Sequence, residues 1–353
     1  MRPKPKRILL ILPCCIGDVV MATAALTALR RAYPDAWIGW AVGKWSRPAL
    51  NGHPALDAVI DAGDSASPVH SLRDLFSFAR ALRAVRADWI VSLVRSPLMS
   101  LAVWLSGCRV RAGLNSGGRG FGYSVRVNVD PDQPNHEARL YLDVVAALGV
   151  NAEGVYPFIP VHDADRASVR ALLTAQDISA PYFVVNPAGG RNPGMTLDAK
   201  RYPPDLLAAL AERLAARLDA APVLIGAADD SPLIEAVNAH LTRSAESFAG
   251  ALSFRQIAAL AADSRLYLGN DTGLTHLAAA AGAPTAMILG PTDPRRYAPY
   301  NPNAVALWKP ADLPARGVAA GAPQDWDWTR DGISVDDAER RILAFLGVSP
   351  TAN

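Results

Sequence analysis

The stretch RLYLGNDTGLTHLAAAAGAPTAMILG, residues 265–290, places a helical segment between two short apolar runs. The runs at 265–269 and 284–290 have the length and composition of buried strands, and residues 272–281 have those of a helix. Parallel strands need a crossover connection, for which a helix is the usual choice. The stretch therefore predicts an α/β fold with a parallel sheet covered by helices.

The same alternation extends over most of the chain. We predict further strands at 8–12, 37–42, 55–60, 88–93, 182–186, 222–226 and 247–250. The accompanying helices are predicted at 19–32, 71–85, 97–106, 135–148, 163–175, 204–217, 230–241, 254–262 and 336–346. Gly154, Pro157 and Pro160 interrupt the pattern. We therefore expect two doubly wound, Rossmann-like domains at 1–165 and 176–333, followed by a C-terminal helix and tail at 334–353.

The composition is that of a soluble globular protein with a charge asymmetry between its halves. Of 353 residues, 50% are hydrophobic and 19% are charged, which is enough apolar material for two cores. The first 150 residues hold 18 Lys and Arg against 11 Asp and Glu, and the remainder holds 17 against 22. A basic first half suits an acidic partner. Its basic residues are not interleaved with stacking aromatics, so we expect no nucleic acid.

The cysteines and the N-terminus indicate a cytoplasmic protein. Adjacent cysteines such as Cys14 and Cys15 rarely bridge each other, and with Cys108 the odd count fits no disulfide framework or zinc site. Basic residues ahead of an apolar run resemble a signal peptide, but Pro13 and Gly17 interrupt that run. These basic residues are Arg2, Lys4, Lys6 and Arg7.

The turns that follow strands are where ligands of open α/β sheets bind, and none of them here is a GxGxxG or GxxxxGK loop. In GNDTGLTH, we expect Asp271 to cap the following helix while Thr272 and Gly273 present N–H groups to a diphosphate. A capped helix packed on the sheet explains the segment equally well. His276, one turn later, is either a ligand contact or an ordinary buried histidine.

Three other residues lie near predicted carboxyl ends of strands. Lys200 would neutralise a phosphate as a point charge, unless it is a surface lysine. Asp229, next to Asp230, is placed to accept hydrogen bonds from a ribose, although helix capping explains both aspartates. Asp18 follows the first strand and is the candidate general base of the first half, with capping as the alternative.

Four segments, in this order, resemble glycosyltransferase family nine, the heptosyltransferases that build the inner core of bacterial lipopolysaccharide. They are RILLILPCCIGDVVMATAALTALRRAYPDAWIGWAV from residue 7, NGHPALDAVI from 51, DAKRYPPDLLAAL from 198 and GNDTGLTHLAAAAGAPTAMILGPTDPRRYAPY from 269. The resemblance implies a GT-B fold, two Rossmann-like domains facing each other across a cleft. It also implies inverting transfer from ADP-heptose to a lipopolysaccharide-core acceptor, with neither a metal nor a cofactor. The residues that carry over are Asp18 as general base, Lys200 as phosphate-binding lysine, and Asp271, Thr272, Gly273, Leu274 and His276 as donor loop.

The chain departs from the family pattern at Cys14 and Cys15, where small hydroxyl residues are usual, and in a longer turn at 186–200. Trp326 and Trp328 would form a sugar platform or anchor the tail. Two sets of basic residues suit an acidic saccharide acceptor and an anionic inner membrane: Arg95, Arg109, Arg111, Arg119 and Arg126 for the saccharide, and the N-terminal group for the membrane. The alternatives are another nucleotide-sugar transferase of the family, a nucleotide-sugar epimerase, and a non-catalytic nucleotide-sugar-binding protein.

Overall fold

The computed structural model describes residues 4–63, 68–178, 181–313 and 325–348. The chain divides into two compact units, Met1–Ile159 and Pro160–Asn353. Each unit is built around one parallel six-stranded sheet.

Unit 1 orders its six strands β3-β2-β1-β4-β5-β6, so the chain reverses direction across the sheet between β1 and β4. In open α/β sheets this switch point is where ligands bind. The strands are β1 Arg7–Ile11, β2 Trp37–Val42, β3 Ala58–Asp61, β4 Trp89–Ser92, β5 Val110–Ser116 and β6 Val125–Val129.

Four α-helices cover this sheet in two packed pairs, α1 with α4 and α2 with α3. They are α1 Ile16–Ala32, α2 Leu72–Ala84, α3 Pro97–Leu105 and α4 Glu137–Ala146. Leu9 and Ile11 of β1 join α2 and α3 in one hydrophobic core. Their neighbours Ile8 and Leu10 are equally buried, and because side chains alternate along a strand they point to the other face. Both faces of the sheet are therefore covered.

Unit 2 repeats the plan with the strand order β11-β10-β7-β12-β13-β14 and a separate two-stranded hairpin, β8-β9. The sheet strands are β7 Tyr182–Asn186, β10 Ala221–Leu224, β11 Glu246–Ser247, β12 Tyr267–Asn270, β13 Thr285–Ile288 and β14 Ala304–Leu307, and the hairpin is β8 Arg191–Asn192 with β9 Met195–Thr196. The helices are α5 Asp163–Ala175, α6 Pro204–Leu218, α7 Ser231–Asn238, α8 Phe254–Ala262, α9 Gly273–Ala280, α10 Pro294–Tyr297, α11 Trp328–Asp331 and α12 Val335–Leu346.

Two helices at the predicted domain edges pack within unit 2. Helix α5, which spans the predicted boundary at 165, packs on α8, where the Arg255 guanidinium lies 2.8 Å from the Asp165 carboxylate. Helix α12 packs on α6, and its Ala338 and Ile342 belong to the hydrophobic core of the unit.

His53 is a buried histidine of unit 1, and its titration links the folding stability of the protein to pH. Its Nδ1 accepts a hydrogen bond from the Ala55 N–H at 3.2 Å, and its Nε2 lies 3.0 Å from the Phe158 carbonyl oxygen. This pattern fits the neutral ring, which has one donor and one acceptor. Burial lowers the pKa of His53 from 6.5 to about 4. His53 therefore takes up a proton near pH 6.5 in the unfolded chain but only near pH 4 in the folded chain, so folding stability falls as the pH drops below about 6.5.

We expect His53 to remove about 2 kcal/mol of folding stability between pH 7.5 and pH 5. Urea unfolding at the two pH values measures this loss. In His53→Asn the stability lost between the two pH values should be smaller than in the wild type by about 2 kcal/mol, because the titrating group is gone. Equal losses in the wild type and the variant would show that His53 does not titrate as its burial demands.

Candidate functional site

Helix α9 of unit 2 begins at the carboxyl end of β12, as the sequence predicts, but Asp271 does not cap it. The N-cap is Thr272, whose Oγ1 accepts a hydrogen bond from the Leu274 N–H at 3.1 Å. The Asp271 carboxylate instead accepts a hydrogen bond from the Lys200 ammonium at 2.6 Å, and both side chains are buried. The capping prediction is wrong because Asp271 lies one residue before the cap and is paired with Lys200.

A buried asparagine positions the loop that carries Lys200. The Asn270 side-chain amide donates to the carbonyl oxygens of Pro187 at 2.8 Å and Ala188 at 3.2 Å. Its Oδ1 accepts from the Tyr202 N–H at 3.0 Å. One side chain at the end of β12 thus fastens both ends of the loop between β7 and α6. We assigned no role to Asn270 from the sequence, because these contacts span 68 residues and more.

Lys200 and Asp271 form an ion pair at neutral pH. Burial acts to raise the pKa of Asp271, but the Lys200 charge and hydrogen bond, assisted by His276 and Thr292, bring the pKa below its ordinary value. His276 is buried within α9. The N-terminus of α9 and the Lys200 ammonium therefore place two sources of positive potential beside each other.

The segment GPTDP, residues 290–294, approaches the same loop. A Cβ on Gly290 would lie 2.7 Å from the Ala199 carbonyl oxygen, so glycine is needed for this close contact. Asp293 caps the short helix α10, because its Oδ1 accepts from the Arg295 N–H at 2.8 Å. The segment thus contacts both sides of the Lys200–Asp271 pair, through Gly290 beside Ala199 and through the Thr292 side chain beside Asp271, and the sequence alone does not show these contacts.

Asp229 lies apart from that pair but at the same edge of the sheet. Strands β10, β7 and β12 are neighbours, and Asp229, Lys200 and Asp271 follow them in that order. Asp229 is exposed and forms an ion pair with Arg191 at 2.9 Å. The adjacent Asp230 occupies the N-cap position of α7 but makes no side-chain hydrogen bond to that helix; its carboxylate instead accepts from the Ala227 N–H at 2.8 Å in the preceding turn.

In unit 1, Asp18 lies in the first turn of α1 and is held from two sides. Its Oδ1 accepts a hydrogen bond from the Tyr141 hydroxyl at 2.9 Å, and its Oδ2 lies 3.5 Å from the Cys15 nitrogen. Asp18 is half-buried. Cys14 and Cys15, for which the sequence predicts no bridge, are joined by a disulfide in the turn between β1 and α1.

Tyr141 of α4 contacts Asp18, and the sequence alone does not single it out. It is buried, and this burial raises its pKa well above 10, as do the charges of Asp18 and Glu137. The hydroxyl therefore stays protonated at every physiological pH and always donates to Asp18. Glu137 lies one helical turn away and is paired with Arg95. No sequence signal connects Tyr141 to Asp18, because 123 residues separate them.

The basic residues of unit 1 have different roles in the structure. Arg95 forms an ion pair with Glu137. Arg111 donates a hydrogen bond to the Gly122 carbonyl oxygen, and Arg126 donates one to the Phe121 carbonyl oxygen. Arg109 and Arg119 are exposed. Within the N-terminal group, Lys4 and Lys6 are exposed and Arg2 lies outside the described residues. The Arg7 guanidinium stacks 4.0 Å from the Trp37 ring centroid and donates to the Val85 carbonyl, so it is occupied internally.

Trp326 and Trp328 form an edge-to-face pair with ring centroids 5.6 Å apart. Trp328 makes a second edge-to-face contact with Tyr202, at a centroid distance of 5.2 Å. Trp328 also packs against the hydrophobic core of unit 2. This arrangement fits the anchoring alternative.

The described residues hold neither a metal-binding cluster nor a helix that could span a membrane. Within that part of the chain, no three or more His, Cys, Asp or Glu side chains are grouped to hold a metal ion. Across the same residues, every helix is too short or too polar to cross a bilayer.

The sequence of residues 75–317 matches the sequence-family model of glycosyltransferase family 9 (heptosyltransferase). The chain belongs to this family. Lipopolysaccharide heptosyltransferase 3 of Escherichia coli is 24% identical over 299 residues, covering 83% of this chain and 86% of the relative.

Solved structures of family members share the fold. The E. coli ADP-heptose lps heptosyltransferase II superposes with a TM-score of 0.73 at 21% identity, covering 96% of this chain and 98% of that one. A family 9 glycosyltransferase from Veillonella parvula DSM 2008 gives 0.78 at 19% identity, covering 98% of both chains. The predicted α/β fold of the GT-B type is confirmed.

Proposed function

We propose that this glycosyltransferase transfers heptose, with inversion, from ADP-heptose to an acidic acceptor of the lipopolysaccharide inner core. The observation that carries the proposal is the buried Lys200–Asp271 pair at the start of α9, inside the segment that matches the family. The names of the relatives, which include an ADP-heptose lps heptosyltransferase, supply the donor and the acceptor class.

The donor diphosphate would bind where Lys200 meets the first turn of α9. The N–H groups at a helix N-terminus have no partners within the helix and attract anions. The diphosphate competes with Asp271 for the Lys200 ammonium, so the pair opens toward the ligand. As ADP leaves, Lys200 and the helix terminus stabilise the negative charge that grows on its terminal phosphate.

Asp18 would act on the acceptor. An acceptor hydroxyl oxygen forms a bond to the anomeric carbon while the bond from that carbon to the diphosphate oxygen breaks, and the hydroxyl proton passes to Asp18. Attack from the face opposite the leaving group inverts the anomeric configuration. Tyr141 holds Oδ1 of Asp18 throughout, because its own hydroxyl stays protonated.

The test is product analysis with the purified protein, ADP-heptose and acceptors ending in Kdo or heptose. We expect ADP and an acceptor longer by one heptose. An epimerase would convert the donor without any acceptor, and a non-catalytic binding protein would bind ADP-heptose and return it unchanged. Intact donor with every acceptor would reject the assigned substrates.

Metal independence is part of the proposal, since Lys200 and the helix terminus supply the positive charge that a metal would otherwise bring. We expect the transfer rate to be unchanged after dialysis against EDTA. Loss of activity that returns on adding Mg²⁺ or Mn²⁺ would contradict this expectation.

We expect Tyr141→Phe to lower kcat of heptosyl transfer by about 10-fold or more, because a hydrogen bond to a charged group contributes about 1.5–3 kcal/mol. The KM for ADP-heptose should stay the same, since Tyr141 lies in unit 1 and orients only the base. Steady-state kinetics with each substrate varied separates the two parameters.

Tyr123→Phe is the matched control. Tyr123 is also a buried tyrosine of unit 1, and it donates to Ser92 Oγ at 2.8 Å. If both variants lose kcat equally, the effect comes from general destabilisation and Tyr141 does not position Asp18.

The proposal includes a cytoplasmic location, with the acceptor presented at the inner face of the membrane. Because Cys14 and Cys15 are joined, this location no longer follows from the cysteines and depends on the proposed donor and acceptor. Among the described residues of the N-terminal basic group, Lys4 and Lys6 are exposed and Arg7 is occupied. Two exposed lysines are fewer than the clusters of about 4–8 basic residues that bind anionic lipid by charge.

A further inference from the structure

The outer face of the α2–α3 layer in unit 1 exposes large hydrophobic side chains. The exposed fractions run from 39% for Leu98 to 72% for Leu72. We call this surface the α2–α3 face, and its apolar members are Leu72, Phe76, Leu98, Trp104 and Phe121. Together they make up five of the nine large hydrophobic side chains that are exposed among the described residues.

These exposed side chains do not belong to the hydrophobic core of unit 1. The inward sides of the two helices already supply the core with Leu75, Phe78 and Leu82 from α2, and with Met99, Ala102 and Val103 from α3. Leu72 and Phe76 are one turn apart and therefore lie on the same side of α2. Helix α3, PLMSLAVWL, has no charged residue at all, so even its outward side is apolar.

Hydrogen bonds hold the parts of the α2–α3 face together. The Arg83 side chain on α2 donates to the carbonyl oxygens of Leu105 and Ser106 at the end of α3. The Gly122 N–H donates to Ser100 Oγ of α3 at 2.8 Å, which fixes Phe121 beside that helix. A Cβ on Gly122 would lie 2.2 Å from the Ser100 carbonyl oxygen, so the loop needs glycine to sit this close. The face is a preformed surface.

The charges around this face are predominantly positive. Residues 72–126 contain nine arginines and two aspartates, with no lysine or glutamate. Arg73 and Arg80 are exposed beside Leu72 and Phe76 on α2, and Arg119 is exposed two residues before Phe121. Of the two aspartates, Asp74 is engaged in the cap of α2 with Ser71, and Asp88 accepts hydrogen bonds from the Lys6 and Arg7 N–H groups.

We propose that the α2–α3 face docks unit 1 on the surface of an anionic phospholipid bilayer. Aromatic and aliphatic side chains beside arginines are the pattern of a surface that lies in the lipid interface. The arginines find anionic headgroups, and each basic residue near such a surface strengthens binding. Trp104 suits the headgroup level, where an apolar ring with a polar N–H is most stable.

This inference rests on the proposed function for its purpose, because a lipid-anchored acceptor would then lie beside the unit that carries Asp18. The binding itself needs no nucleotide sugar. It differs from contact through the N-terminal lysines, which lie in a separate part of the sequence.

The test is sedimentation of the whole protein with vesicles of phosphatidylcholine, pure or with phosphatidylglycerol added as about one lipid in three. We expect binding to the anionic vesicles, weak binding to the neutral ones, and release by salt. The double variant Phe76→Ser, Trp104→Ser should lower the affinity at least about 10-fold. Arg73→Glu, Arg80→Glu should lower it on the order of 10-fold and flatten its dependence on salt.

Trp45→Ser and Lys4→Glu, Lys6→Glu are the matched controls, since they remove an aromatic side chain exposed elsewhere in unit 1 and the N-terminal charges. Both should bind vesicles as the wild type does. The inference is overturned if the wild type ignores anionic vesicles, or if the controls lose as much affinity as the face variants. It is also overturned if the wild type is a dimer that Phe76→Ser, Trp104→Ser dissociates, because the face would then bind a second copy.

Activity separates this inference from the proposed function. With a delipidated, soluble acceptor, the Phe76→Ser, Trp104→Ser variant should match the wild-type transfer rate. Vesicle binding without any transferase activity would reject the proposed function and leave the membrane surface in place. Transferase activity without vesicle binding would reject the membrane surface and leave the proposed function in place.

Discussion

We expect Asp18→Asn to lower the rate of heptosyl transfer by about 10²–10⁴-fold, which is the contribution of one general base. Asparagine keeps the shape of the side chain and an oxygen that accepts the Tyr141 hydrogen bond, so the main loss is the ability to take a proton. Binding of ADP-heptose should be unchanged, because the expected donor residues all lie in unit 2. Single-turnover kinetics and calorimetric titration with ADP-heptose measure the two effects separately.

Asp74→Asn is the control for the structural part of this substitution. Asp74 occupies the same third position of α2 that Asp18 occupies in α1, and its carboxylate accepts from the Ser71 N–H at 3.1 Å. Both variants lose a carboxylate that favours a helix N-terminus, a contribution of about 0.3–1 kcal/mol. Only Asp18→Asn should lose activity. An Asp18→Asn enzyme that keeps its rate, or a control that loses rate equally, would remove Asp18 from the chemistry.

We expect the second large effect from Lys200→Met, which should lower both the folding stability and the affinity for ADP-heptose. Removing the ammonium leaves the Asp271 carboxylate buried without its counter-charge, which costs about 3–5 kcal/mol of folding stability. In the wild type the stabilisation from this pair is present above the pKa of an unfolded aspartate, about 3.9. It is lost as the pH falls through the lower folded-state pKa of Asp271.

The double variant Lys200→Met, Asp271→Asn separates the two effects. With both charges gone, we expect most of the folding stability to return, because no uncompensated charge remains. Affinity for ADP-heptose should stay about 10-fold or more below that of the wild type, since a charge-assisted hydrogen bond to the diphosphate is missing. Urea unfolding and calorimetric titration measure stability and affinity on the same protein.

The Arg201–Asp198 pair, whose aspartate is exposed, provides the comparison, because Asp198→Asn breaks an ion pair at the surface that contributes at most about 1 kcal/mol. If the double variant binds ADP-heptose as tightly as the wild type, Lys200 has a purely structural role. If Lys200→Met is as stable as Asp198→Asn, the Lys200–Asp271 pair does not matter for folding.

The central strands were predictable because burial on both faces leaves a continuous apolar run, as in ILLIL at 8–12 and YFVVN at 182–186. Three strands of the two six-stranded sheets were missed, as were both strands of the β8-β9 hairpin. Strands β5 and β6 carry arginine and asparagine among their apolar residues, and β14 is short and partly exposed at the edge of its sheet. Their pairing with neighbouring strands defines them, and local sequence does not show that pairing.

The site was predictable as a set of strand ends and unpredictable as a set of contacts. Topology places Lys200 and Asp271 at one sheet edge, so we could expect both there. Their ion pair could not be expected, and neither could the hydrogen bond from Tyr141 to Asp18, because each depends on packing between distant segments. Asp271 was misassigned as a cap because Thr272, the next residue, caps helices as well.

Mass spectrometry of the core oligosaccharide from cells that lack the gene, or carry it as wild type or as Asp18→Asn, tests the account most directly. We predict that the core lacks one heptose in the deletion strain, is complete with the wild-type gene, and stays truncated with Asp18→Asn produced at the same level. An identical core in all three strains would contradict the account.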